Sequence, residues 1–166
     1  AQSWSDVPNR RRIWIGWINN WDYANEIPTS PWRGLFSIPR ELRVRQTPEG
    51  LRLFQEPMEE LKQLRKLIYH VNNVDITKVN TQLAALKVNV AQEIMIEFVL
   101  DTAREFGIKV RKGDDKETII GYDVQSQEIF IDRRRAGEDA FSEKFSGAHR
   151  APLTRRAVRG WSLPWD

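Results

Sequence analysis

The chain has 166 residues, of which 40% are hydrophobic and 30% charged, and a formal net charge of +3. That balance is globular and argues against a disordered chain. There is no cysteine and there are 2 histidines, His70 and His149, which excludes disulfide frameworks, thiol nucleophiles and multi-histidine metal sites.

In chain order, Gln2-Ser3-Trp4 reads as a short strand. Arg12-Ile13-Trp14-Ile15-Gly16-Trp17-Ile18 follows, rich in β-branched and aromatic residues. Leu35-Phe36-Ser37-Ile38 begins another run, interrupted by Pro39. Glu41-Leu42-Arg43-Val44-Arg45 alternates polar and apolar, the period of a half-buried strand. Thr47-Pro48-Glu49-Gly50 is a turn signal, and Leu51 to Gln55 follows as a strand. These segments predict a four-stranded antiparallel meander. Met58, Leu61, Leu64, Leu67, Ile68 and Val71 then fall at helical spacing behind Pro57, which predicts a short helix or helical turn.

Beyond that point β character returns. Strands are predicted over Glu93 to Leu100, Phe106 to Lys112, Glu117 to Tyr122 and Glu128 to Asp132, with turns at Gly113-Asp114-Asp115 and Ser126-Gln127. Such close spacing suggests a sandwich. Five of the 7 tryptophans (Trp4, Trp14, Trp17, Trp21 and Trp32) precede the helical stretch, and the next is Trp161. The shift in composition divides the chain into two structural units. A lone four-stranded meander leaves tryptophans exposed on one face, so it needs neighbours such as adjacent propeller blades. At about 40–50 residues per blade, several blades do not fit in this length, so if the first unit is a blade the chain is a fragment.

No apolar run approaches the roughly 20 residues of a membrane span, and no signal-peptide series opens the chain. With Ala1 in the first position instead of a methionine, the start reads as cut, processed or engineered. The positive charge collects in residues 150–166, where Arg150, Arg155, Arg156 and Arg159 meet one acid, Asp166, so the remainder is balanced. A nucleic-acid partner is not expected from charge confined to a tail, and neither is a membrane.

The stretch Ile15-Gly16-Trp17-Ile18-Asn19-Asn20-Trp21-Asp22-Tyr23-Ala24, then Pro28-Thr29-Ser30-Pro31-Trp32-Arg33-Gly34 and Ser37-Ile38-Pro39-Arg40-Glu41-Leu42, resembles the last propeller blade of glycoside hydrolase family 32. That family includes invertases, inulinases and levanases. Gly107 to Arg111, Thr118 to Asp123, Ile129 to Arg133 and Phe145-Ser146-Gly147 resemble its C-terminal β-sandwich. The resemblance covers roughly residues 1–153. It implies an all-β chain: one four-stranded antiparallel blade of a five-bladed propeller (residues 1–57), a short helical linker (58–75), an incomplete β-sandwich (76–153) and a divergent tail (154–166).

Family members hydrolyse β-fructofuranosidic bonds with retention through two carboxylates, a nucleophile and an acid/base, while an Arg-Asp-Pro aspartate binds sugar hydroxyls. The resemblance places all three carboxylates in earlier blades. Trp17-Ile18-Asn19-Asn20-Trp21 looks superficially like the nucleophile motif Trp-Met-Asn-Asp-Pro, but Asn20 stands where the aspartate would be. An amide cannot act as the nucleophilic carboxylate. Asp132-Arg133-Arg134 is not Arg-Asp-Pro, and Gln55-Glu56-Pro57 is not the acid/base motif. The chain alone is therefore expected to be inactive, with no catalytic residue, metal or cofactor of its own.

On the same analogy the substrate-binding residues are Trp21, as an apolar wall for a fructosyl ring, and Asn20, through hydrogen bonds to hydroxyls. Trp14 and Trp17 are expected in the core. Asp22 and Glu26 read as solvated loop acids before a carboxylate pair. Trp32-Arg33 is expected to lock the loop by cation–π stacking or an ion pair to Glu41, and His70 and His149 as ordinary surface or hydrogen-bonded residues. The implied partners are a fructose-containing oligo- or polysaccharide and the missing propeller blades, in an extracellular parent enzyme. The alternative is a non-catalytic carbohydrate-binding sandwich module, presenting Tyr122, Phe130, Phe141 and Phe145.

Overall fold

The structure is a computed structural model that describes residues 1–87 and 92–153. Its strands, in chain order, are β1 (Gln2–Ser3), β2 (Ile13–Ile15), β3 (Trp17–Ile18), β4 (Leu35–Phe36), β5 (Arg40–Thr47), β6 (Gly50–Pro57), β7 (Glu105–Val110), β8 (Glu117–Asp123), β9 (Glu128–Arg135) and β10 (Ala148–Pro152). The one α-helix among the described residues is α1 (Ile76–Ala85). The chain is all-β in class, with two four-stranded antiparallel sheets. It forms two compact units, one from Ala1–Gly16 with Phe36–Met95, the other from Trp17–Leu35 with Ile96–Asp166.

The first unit holds the sheet β1-β2-β5-β6, an antiparallel meander as predicted. The β5–β6 hairpin closes at Thr47 and Gly50, where the Thr47 hydroxyl donates to the Gly50 carbonyl at 2.8 Å and accepts from the Glu49 N–H at 3.2 Å. Its register sets Val44 opposite Leu53 and Glu41 opposite Glu56. Alternation then puts Val44, Leu51 and Leu53 on one face, which stays open: they are 66%, 66% and 54% exposed. The other face carries charge. Arg45 pairs with Glu56 at 2.6 Å and stacks on Phe54 at 4.7 Å, beside buried Ile13. Arg11 bonds Glu41 at 2.8 Å and Glu60 at 2.5 Å, fastening the chain after β6 to the chain before β2.

The predicted helical linker contracts to a 3-10 turn, Glu59–Leu64. Leu64, Leu67 and Ile68 are exposed, and an apolar stripe that no described residue covers does not sustain a helix of this length. A helix does form further on. Asp75 caps α1 by accepting the Thr77 N–H at 2.8 Å.

The predicted strand over Glu93 to Leu100 is absent: the described residues there have no ladder partner. Glu93 is instead taken by the Arg65 guanidinium in a bidentate pair at 2.5 and 2.7 Å. Apolar composition alone does not make a strand without a neighbour to pair with.

The second unit holds the sheet β10-β9-β8-β7, strands adjacent in chain order, with short connections between β7, β8 and β9 and the longer segment 136–147 between β9 and β10. Asp123 shapes the β8–β9 turn by accepting the N–H groups of Gln125 and Ser126 at 2.9 and 3.0 Å. Gly107 and Gly121 face each other across β7 and β8. The Phe130 ring lies over Gly121, within 2.8 Å of where a Cβ would stand. The open face of a glycine pair is thus roofed by an aromatic ring, and Arg150 covers that ring at 4.9 Å. The residues after 153, including the tail predicted to diverge, lie outside the described residues.

Candidate functional site

The site is built on residues 17–35 of the second unit. β3 and β4 pair as a two-stranded ribbon at the two ends of this segment. The chain between them turns repeatedly on itself. The Asp22 N–H donates to Asn20 Oδ1 at 3.0 Å, the Tyr23 N–H to the Asn20 carbonyl at 3.2 Å, and the Glu26 N–H to the Tyr23 carbonyl at 3.0 Å. Asparagine is suited to this because its short amide mimics a backbone turn.

A concavity of about 500 Å³ opens on this segment, lined by Trp17, Trp21, Ala24, Asn25, Thr29, Ser30, Pro31 and Arg33. Its aromatic wall is a tilted pair, with Trp17 and Trp21 ring centroids 4.9 Å apart at 60°. Trp21 is 85% exposed. Opposite chemistry comes from an amide, two hydroxyls and a guanidinium. This mixture of ring faces and neutral or cationic hydrogen-bonding groups suits a polyhydroxylated ring. Among the described residues no carboxylate lines the concavity, so that lining provides neither nucleophile nor general acid.

The expected residues divide. Trp21 stands in the wall. Asn20 does not line the concavity; its amide oxygen is committed to the turn. Trp14 is half-buried, but Trp17, expected in the core, is 39% exposed and belongs to the wall. The reason is Gly34: its φ of +83° and missing Cβ leave room for the Trp17 indole to lie against the backbone. Arg33 locks the loop in a way that was not expected. Its Nε donates to the Ile27 carbonyl at 2.9 Å, whereas Glu41 takes Arg11 and Arg43. Asp22 pairs with Lys144 at 3.2 Å, and Glu26 is an exposed loop acid. His70 is exposed; His149 Nε2 lies 2.9 Å from the Arg133 guanidinium, so that nitrogen is the acceptor. Asn25, Thr29 and Ser30 escaped the sequence reading because polar loop residues carry no periodic signal.

Two carboxylates, Glu117 and Asp132, line a smaller hollow on the second sheet with Ile119, Arg134 and Arg135. Both are neutralised. Glu117 sits between Lys109 at 3.1 Å and Arg135 at 3.5 Å. Asp132 is gripped by Arg134, whose hydrogen bonds hold its carboxyl below the usual carboxylate range. Lys109 of β7 and Arg135 of β9 thus tie Glu117 of β8 to both neighbouring strands. The aromatics proposed for a binding module are packed inward: Tyr122 and Phe130 are each 6% exposed, and Phe141 and Phe145 are half-buried against Tyr23.

Comparison with known proteins gives a consistent answer. The model for the family 32 N-terminal domain of glycosyl hydrolases matches residues 1–57, and the model for the family 32 C-terminal region matches residues 60–161. A levanase of Bacillus subtilis (strain 168) is 42% identical over 158 residues, which cover 92% of this chain and 23% of the levanase. An extracellular exo-inulinase of Aspergillus awamori is 30% identical over 158 residues, covering 93% of this chain and 29% of that protein. The crystal structure of exo-inulinase from Aspergillus awamori superposes with a TM-score of 0.67 at 24% identity, over 93% of this chain and 30% of that one, and shares the fold. The chain thus spans about a quarter of the length of the curated relatives it matches. With both family models together spanning nearly all of it, the chain belongs to glycosyl hydrolase family 32.

Proposed function

We propose that this chain is the closing part of a secreted β-fructofuranosidase. In this reading residues 1–57 form the last blade of a five-bladed propeller, 58–75 the linker and 76–153 a β-sandwich. The whole enzyme cleaves sucrose, inulin or levan by the retaining two-carboxylate route. The catalytic carboxylates come from the preceding blades, and the chain alone is inactive. Its contribution to the pocket is the Trp21 face, backed by Trp17, against which the apolar face of a fructosyl ring rests. Asn20 lies outside the lining of the concavity, but it is exposed, and in the whole enzyme its amide nitrogen is offered to sugar hydroxyls while the oxygen serves the turn.

The observation that carries this reading is the tilted Trp17–Trp21 wall over a concavity that no carboxylate lines among the described residues. It has the parts to hold a sugar and none of the parts to cut one. The open Val44, Leu51 and Leu53 face supports the missing blades, because each such side chain gains about 2 kcal/mol on full burial. Relatives named levanase and extracellular exo-inulinase support the substrate class and secretion.

The test is a hybrid in which this chain replaces the matching 158 residues of the Bacillus subtilis levanase. The hybrid is expected to hydrolyse levan, and the 166-residue chain alone to hydrolyse none. Trp21→Ala in the hybrid should raise KM about tenfold, the loss of a stacking contact of about 1.4 kcal/mol. Hydrolysis by the chain alone, or a folded hybrid without activity, overturns the proposal.

A further inference from the structure

The most exposed tryptophan of the loop is followed, two residues on, by one of its most deeply buried rings. Trp21 is 85% exposed, while Tyr23 is 8% and Ala24 6% exposed. Tyr23 and Ala24 belong to the small set of buried apolar side chains in the described chain, alongside Ile13, Tyr122 and Phe130. A loop that sinks one ring to display another is anchored, and the anchor's surroundings decide where the displayed ring points.

Those surroundings are supplied by the chain after β9. Tyr23 meets Phe145 edge-on, at 5.6 Å and 89°, and Phe141 at 6.0 Å and 72°. Phe141 and Phe145 lie 4.8 Å apart, completing a three-ring cluster. Edge-to-face contacts are directional, so the cluster fixes orientation as well as depth. Phe145 is braced from its own side by the Arg133 guanidinium at 4.2 Å. The segment that carries both phenylalanines is itself stiff. The Asp139 N–H bonds the Gly137 carbonyl, the Phe145 N–H bonds the Ser142 carbonyl, and the Ser146 hydroxyl bonds Asp139 Oδ2 at 2.9 Å. Lys144 adds an ion pair to Asp22. The turns over 20–26 then couple the buried ring to the displayed one, because Asn20 receives both the Asp22 and the Tyr23 N–H. Phe141, Lys144 and Phe145 do not line the concavity, so any effect they exert on a ligand passes through Tyr23 and Asp22.

We propose that Phe141, Lys144 and Phe145 are positioning residues for the sugar-binding loop: they clamp Tyr23 and Asp22 so that Trp21 is presented in the orientation the fructosyl ring requires. The proposal rests on Trp21 being the fructosyl wall. It gives the C-terminal part of the chain a role in substrate binding that does not depend on touching substrate. A displacement of the loop by about 1 Å would weaken binding strongly, since near-contact geometry is steeply sensitive to position.

The test has two arms. In the 166-residue chain labelled with 5-fluorotryptophan, the Trp21 ¹⁹F resonance is assigned by its disappearance in Trp21→Phe. Phe145→Ala is expected to shift or broaden that resonance while leaving those of Trp4 and Trp14 in place; Phe145→Tyr, which keeps the ring, should restore it. In the levanase hybrid, Phe145→Ala should raise KM for levan about tenfold with kcat changed less than twofold, and Phe145→Tyr should return KM to within about twofold. The exposed Lys144→Ala, which does not threaten folding, should raise KM by about twofold. An unmoved Trp21 resonance together with an unchanged KM in Phe145→Ala overturns the clamp, as does an equal fall in kcat for every variant, which marks general loss of fold. If instead Trp21→Ala leaves KM unchanged while Phe145→Ala still moves the Trp21 resonance, the clamp stands and the assignment of Trp21 as the sugar wall fails.

Discussion

The Trp17 indole lies across the backbone of Gly34. A Cβ on residue 34 would fall within 3.0–3.1 Å of Trp17 Cε2 and Cδ1 and closer still to Nε1. One aromatic wall of the concavity therefore exists because position 34 has no side chain and holds a φ of +83°.

Gly34→Ala is expected to cost about 1–2 kcal/mol from the left-handed backbone alone, and more from pushing the indole aside. The midpoint of urea unfolding, followed by tryptophan fluorescence, should fall accordingly. In the levanase hybrid the same change should raise KM, because the displaced Trp17 crowds Trp21. An unchanged midpoint would show that the ring packs elsewhere.

Acid should loosen the first unit through Glu60. Its hydrogen bonds from Arg11 pull the Glu60 pKa down to about 2 from its ordinary 4.5. A folded-state pKa below the unfolded one means that the contribution is complete above about pH 4.5 and disappears as pH falls toward 2. Arg11→Ala removes both the Glu60 and the Glu41 bonds. An acid titration monitored by circular dichroism should then show a loss of stability at pH 7 and a flatter dependence between pH 4.5 and 2. Equal slopes in the two proteins would refute the linkage.

Gly121 is roofed by Phe130. Gly121→Val should cost about 1–3 kcal/mol by overpacking, and Phe130→Ala about 3 kcal/mol or more by leaving a cavity. The two changes touch the same space, so the double variant should cost less than the sum of the singles, which a double-mutant cycle in urea would measure.

Asp75 caps α1, and its carboxyl is held below the usual range chiefly by the Thr77 N–H. Asp75→Ala should reduce the helical signal at 222 nm, while Asp75→Asn, which keeps the accepting oxygen, should retain most of it. The reduction should be greater at neutral than at strongly acidic pH, where the cap loses its charge.

Most strands of the two sheets were legible because each carries its own signal; β10 (Ala148–Pro152) was not predicted, since Ala-His-Arg-Ala-Pro has neither alternation nor β-branched residues. Glu41 to Arg45 alternates, Thr47 to Gly50 turns, and the hairpin follows from those residues alone. Fold elements that depend on a partner were not. Leu64, Leu67 and Ile68 have helical spacing but no surface to cover among the described residues, so the stripe stays outside an α-helix. Glu93 to Leu100 is apolar enough for a strand but finds no ladder. Helix α1 was missed although Asp75, followed by Ile76, Val79 and Leu83, is a readable cap-and-stripe signature. Trp21 was singled out through a motif and lines the concavity, whereas Trp17 was misplaced because its exposure depends on Gly34, seventeen positions away in sequence. Tyr23 as an anchor was invisible for the same reason: its partners, Phe141 and Phe145, lie more than a hundred residues downstream.

The long strand β6 ends at Pro57, and β10, the last strand among the described residues, ends at Pro152. Proline has no amide hydrogen, so an incoming ribbon aligned on either border lacks one rung of its ladder at that point. Val44, Leu51 and Leu53 impose no such obstacle on the flat of the first sheet. The opposite borders, β1 and β7, hold only two and six residues, so copies of the chain brought together at high concentration should adhere chiefly broadside through aliphatic contact. Their clumps should dissolve in mild detergent and should bind thioflavin weakly, unlike fibrils grown by edge-on stacking.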